Sequence, residues 1–97
     1  MISPIIINIT PTIAVPINTR RAKVRFQNTG ISNLYLRKIP AAGAFTLPSI
    51  IDYDVLLAPA ALLNEAGEAF NTNSIASFAV VSGIPGGILA IYETVKI

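Results

Sequence analysis

Asp52 and Asp54 flank Tyr53, and on an extended chain their side chains fall on the same side of the backbone. Two carboxylates so placed suggest a paired acid–base site or, with a loop carbonyl, a calcium site. The rest of the inventory supports neither. The other acids, Glu65, Glu68 and Glu93, are scattered, and the chain contains no histidine and no cysteine. A serine nucleophile has no imidazole base, and the commonest nitrogen and sulfur metal ligands are missing. Gly83, Gly86 and Gly87 do not make a phosphate-cradling loop, because no lysine or helix start follows them. Tyr35, Tyr53 and Tyr92 are the residues that could stack on a sugar, although single strand tyrosines more commonly pack half-buried. The expectation is a protein that is not an enzyme and uses no cofactor and no metal, with Asp52 and Asp54 on a solvated strand edge.

The elements that would position these residues are strands. Lys23, Arg25 and Gln27 alternate with Ala22, Val24 and Phe26, which predicts a half-buried strand with the apolar set inward. Asn28-Thr29-Gly30 then turns the chain into a second strand, Leu34 to Ile39, expected to pair with the first as a hairpin. Phe45 to Leu47 reads as a short strand, 49–52 as a connection and Tyr53 to Leu57 as a strand. Residues 60–69 are the one place where a turn or two of helix is expected, cut short by Gly67. Phe70 to Ser74 reads as a polar turn. Ile75 to Val81 and Ile88 to Ile97 read as strands with both faces apolar, joined as a hairpin through Gly83–Gly87. The fold class is all-β: a small antiparallel β-sandwich or barrel of about six or seven strands.

Residues 2–17 carry no charge, and the apolar run is interrupted by Pro4, Pro11 and Pro16. Proline inside a helix costs about 3 kcal/mol, and no basic residue precedes the run, so neither a bilayer helix nor an export signal is expected. The β-branched residues favour extended backbone. Two readings remain open: an arm over residues 1–19 that leaves a β-domain of residues 20–97, or an edge strand packed on that domain. Asn8-Ile9-Thr10 matches a glycosylation acceptor but has no export signal to support it.

Of the 97 residues, 53% are hydrophobic and only 12% charged, where a soluble domain carries about 25% charged residues. A chain this short has a thin core. Apolar side chains are oversupplied, which predicts that part of the surface is covered by other protein chains. The net charge of +2 is too small to argue for nucleic acid. Arg20, Arg21, Lys23 and Arg25, with Arg37 and Lys38, read either as a solvated strand face or as a patch that meets an acidic neighbour.

The stretches "RRAKVRFQNTGISNLYLRKIP", "YDVLLAPA", "GEAFNTNSIASFAVVSG" and "GILAIYET" resemble the small head-decoration and auxiliary capsid proteins of tailed phages, including head-fibre components. The resemblance lies in Gln27, Asn28 and Gly30, Leu34-Tyr35-Leu36, Ser74 to Ser82 and Tyr92-Glu93, and spans residues 20–97. It implies a virion location, with the major capsid protein or other virion subunits as partners and self-association into a homo-oligomer. Nucleic acid and membrane are not expected partners. On the arm reading, Ile5, Ile6, Ile7, Ile9, Ile13 and Val15 form the interface, with Arg20 and Arg21 where the domain begins. The alternative function is a carbohydrate- or receptor-binding module of a fibre.

Overall fold

The structure is a computed structural model that describes residues 5–40, 42–60 and 67–96. Among the described residues there are eight strands: β1 Ile5–Ile7, β2 Thr12–Val15, β3 Arg21–Asn28, β4 Leu34–Ile39, β5 Val55–Leu57, β6 Ala69–Thr72, β7 Ser77–Ser82 and β8 Gly87–Val95. They form two antiparallel four-stranded sheets, ordered β1-β8-β3-β6 and β2-β7-β4-β5. Alternation places Ile7, Val24, Phe26, Leu89 and Ile91 of the first sheet against Val15, Leu34, Leu36, Phe78 and Val80 of the second. The Phe26 and Phe78 rings meet across the interior at 5.2 Å.

The all-β class and the antiparallel pairing match the expectation, and the two sheets suit the sandwich alternative. The described residues hold eight strands where six or seven are expected, because the N-terminal stretch supplies two and the expected polar turn at 70–74 begins with another. Residues 5–15 do not leave the domain. Ile6 lies opposite Ile88 and Ile13 opposite Ala79, so β1 and β2 close one edge of each sheet, and a boundary after residue 19 does not separate an arm from a domain. Ile7 and Val15 are core residues. The physical reason is the prolines: the edge strands are short pieces between them, and an edge is where a sheet tolerates proline.

Neither expected hairpin forms. β3 and β4 lie in different sheets, as do β7 and β8. The turn residues reverse the chain as expected, but they carry it across the sandwich instead of back along the same sheet. Two-residue periodicity sets which side chains face inward and is silent on which sheet a strand joins. The stretch read as a polar turn at 70–74 begins with β6, which pairs with β3 through Phe26 opposite Phe70. Phe45 to Leu47 is irregular, while the expected helix falls largely on 61–66, outside the described residues, and Ala69 already belongs to β6.

Ala22 is not part of the inward set. The register between β3 and β8 shifts between Arg21 and Lys23, and this bulge turns Arg21 into the interior. Its side chain is fully buried, with Nε on Glu93 Oε2 at 2.5 Å. Nη1 donates to the carbonyls of Ser74 at 2.9 Å and Ala76 at 2.7 Å, and Nη2 to that of Pro16 at 2.8 Å. One guanidinium therefore ties the β2–β3 and β6–β7 crossings together at one end of the sandwich.

Candidate functional site

The opposite end of the sandwich carries the crossings at residues 8–11, 29–33 and 83–86, beside the two ends of the β5–β6 connection. Asn28 organises it from within. Its Nδ2 donates to the carbonyls of Ser32 at 2.7 Å and Leu57 at 2.8 Å, and its Oδ1 accepts from the amide of Gly30 at 3.0 Å. The buried hydroxyls of Ser32 and Ser82 bond each other at 2.8 Å. The Ser82 amide donates to the Asn8 carbonyl at 2.9 Å, and that of Gly83 to Asn33 at 3.1 Å. Gly30 runs so close to β8 that a Cβ there would stand 2.8 Å from the Ile88 nitrogen. Buried side-chain bonds thus hold the 29–33 crossing, and main-chain bonds tie the 8–11 and 83–86 crossings in beside it.

Each crossing holds an isoleucine out in water: Ile9 at 60% exposure, Ile31 at 85% and Ile84 at 51%. The connection between β4 and β5 adds a fourth. It folds back over the outer face of the second sheet, where Ala79 and Val81 lie fully buried and Pro48 is buried with them. Arg37, facing outward on β4, pins it. Its Nη1 donates to Thr46 Oγ1 at 2.5 Å and to Asp52 Oδ2 at 3.1 Å, and Nη2 pairs with Asp52 Oδ1. Its Nε stands 3.6 Å from Asp54 Oδ1. The amides and carbonyls of Ser49 and Asp52 bond each other at 2.8 and 3.2 Å, closing a tight turn that presents Ile50 and Ile51 to solvent.

Two shallow grooves meet at Ile50 and Gly83. One, about 260 Å³, lies between Ile9, Pro11, Pro48 and Val81; the other, about 480 Å³, lies between Ile31, Tyr35, Pro59 and Ile84. A separate cleft of about 220 Å³ opens between the sheets, lined by Leu36, Val55, Phe70 and Phe78 with Lys38 and Asp54 at its rim. The result at the loop end is a surface of exposed isoleucines, interleaved in the larger groove with Ser32, Asn33 and Tyr35.

The carboxylate pair is accounted for by this architecture. The hydrogen bond from Arg37 is the main cause that holds Asp52 below the usual carboxylate range, while the same pairing raises Arg37. A general acid needs the opposite shift. No group of three or more acidic side chains converges as a metal site among the described residues. Tyr35 and Tyr53 pack against each other at 5.0 Å, so part of each ring face is taken, and Tyr92 lies under the Arg25 guanidinium.

Of the expected interface residues, Ile9 and Ile13 are exposed on the side of the second sheet and Ile6 on the outer face of the first. Ile5 is half-buried against the core, Arg20 is exposed, and Ile7, Val15 and Arg21 are enclosed. Sequence reasoning missed Ile31, Ile50, Ile51 and Ile84. The signal was present: each sits within a Gly-, Ser-, Pro- or Asp-rich turn, where a large apolar side chain cannot follow strand alternation into a core. No helix among the described residues is long and apolar enough to cross a membrane. No protein-family model, curated protein or solved structure matches the chain.

Proposed function

We propose that this chain is a non-enzymatic structural subunit of a phage particle, an auxiliary or decoration protein that docks on capsid subunits and self-associates through its loop end. The observation that carries the docking role is the set Ile9, Ile31, Ile50 and Ile84, held in solvent on three hydrogen-bonded crossings and on the β4–β5 connection that Arg37 pins. The phage setting is supported by the resemblance in residues 20–97. Contiguous exposed apolar surface is unusual on a monomer and marks contact with other macromolecules. Burial yields about 25 cal/mol per Å² of apolar area, and a rigid surface loses little entropy on docking.

The test is co-sedimentation with empty phage shells stripped of auxiliary subunits, using wild type and an Ile31→Ser/Ile50→Ser/Ile84→Ser variant. Wild type is expected to saturate the shells and the variant to lose occupancy by at least tenfold while its circular dichroism stays unchanged. Equal occupancy by the variant would refute the loop end as the docking site.

One observation favours a second reading. Tyr35 lines the larger groove beside Tyr53, an arrangement that suits a carbohydrate- or receptor-binding module. A glycan array separates the two, since a hit abolished by Tyr35→Ala would move the function to this groove.

A further inference from the structure

The outer face of the first sheet has a different chemistry. Lys23 and Arg25 project from β3, with Tyr92 opposite Arg25 on β8, and Ile6 and Ile88 stand opposite each other on β1 and β8. Arg20 and Lys96 join them at the strand ends, where the Lys96 amide donates to the Arg20 carbonyl at 2.7 Å. Among the described residues none of these four cations has an ion-pair partner; the three ion pairs use Arg21 with Glu93, and Arg37 with Asp52 and Asp54. Glu68 is turned away, its carboxylate accepting from the Ala58 amide at 2.8 Å. On the second sheet Arg37 is paired with both Asp52 and Asp54, while the Lys38 ammonium has no ion-pair partner among the described residues. Four of the five cations without an ion-pair partner among the described residues are therefore gathered on one face.

We infer that the outer face of the first sheet is a second interaction surface, and that its partner is an acidic protein surface that also offers apolar side chains. Charge complementarity selects the acid: Lys23 and Arg25 alternate on one strand with no ion-pair partner among the described residues. The apolar half of the face selects protein over nucleic acid. Ile6, 72% exposed, and Ile88 lie on the same surface, and a phosphate backbone gives them nothing to bury against. Tyr92 is already engaged by Arg25 at 5.8 Å, so it is not free as a base-stacking platform. The subunit is thus two-faced, with an apolar end for one contact and a basic, partly apolar face for another. This inference does not rest on the shell-binding reading.

The test uses three defined probes with the full-length chain at low salt: a 16-residue peptide of glutamate and leucine, poly-L-glutamate, and a 16-base-pair DNA duplex. The glutamate–leucine peptide is expected to bind tightest and to weaken as salt rises. Lys23→Gln/Arg25→Gln should weaken it by about tenfold, the worth of two solvent-exposed ion pairs. Ile6→Ser should weaken it while leaving poly-L-glutamate unaffected. Lys38→Glu, which changes the net charge by the same amount elsewhere, should do neither. No peptide binding, an equal loss with Lys38→Glu, or tighter binding of the duplex than of the peptide would overturn the inference.

Discussion

Arg21 is the residue whose role is least visible in the sequence and most plain in the structure. Beside Arg20 it reads as one of a surface pair, yet a single bulge turns it inward, where Glu93 and three main-chain carbonyls share its donors. Breaking a buried pair from one side strands the partner groups. Arg21→Met is expected to cost about 3 kcal/mol in urea unfolding, and Arg21→Lys most of that, since an ammonium cannot reproduce the planar fork. Asp52 gives a prediction of another kind. Its hydrogen bond from Arg37 depresses the folded-state pKa, so the stability it confers is complete above the unfolded value of about 3.9. That stability is lost only as pH falls through the lower folded value. A carbon NMR titration should place the Asp52 midpoint below that of a free aspartate, and Arg37→Gln should return it to the ordinary range.

At the level of elements, the strands β3, β4, β7 and β8 were legible from alternation and turn residues, because those signals are local. Their partners were not, because crossing to the other sheet depends on contacts distant in sequence. Asn28 shows why: in sequence it is one more turn residue, but its amide joins carbonyls at 32 and 57. Asn28→Asp would set a carboxylate against two carbonyl oxygens and should destabilise more than Asn28→Ala, itself expected to cost about 2 kcal/mol. Gly30→Ala should also destabilise, since the new Cβ would meet backbone, which cannot swing aside. The edge strands carry the clearest consequence. Deleting residues 1–17 removes β1 and β2, with Ile7 and Val15 from the core, so the truncated chain should lose its cooperative thermal transition instead of surviving as an armless domain.

Over the whole molecule, the composition foretold an excess of apolar surface but not its address. The apolar N-terminal stretch is divided: Ile6, Ile9 and Ile13 are exposed while Ile5, Ile7 and Val15 pack inward, and turn isoleucines at the loop end supply much of the other exposed apolar surface. The loop end exposes isoleucines with no cation among them, whereas the outer face of the first sheet carries cations beside Ile6 and Ile88. The most direct measurement is molar mass by light scattering across a concentration series, for wild type and the Ile31→Ser/Ile50→Ser/Ile84→Ser variant. If the loop end self-associates, the wild-type mass climbs above that of one chain of 10.3 kDa and the variant stays at that mass. A wild-type protein that remains a single chain throughout, or a variant that associates as strongly, would contradict it.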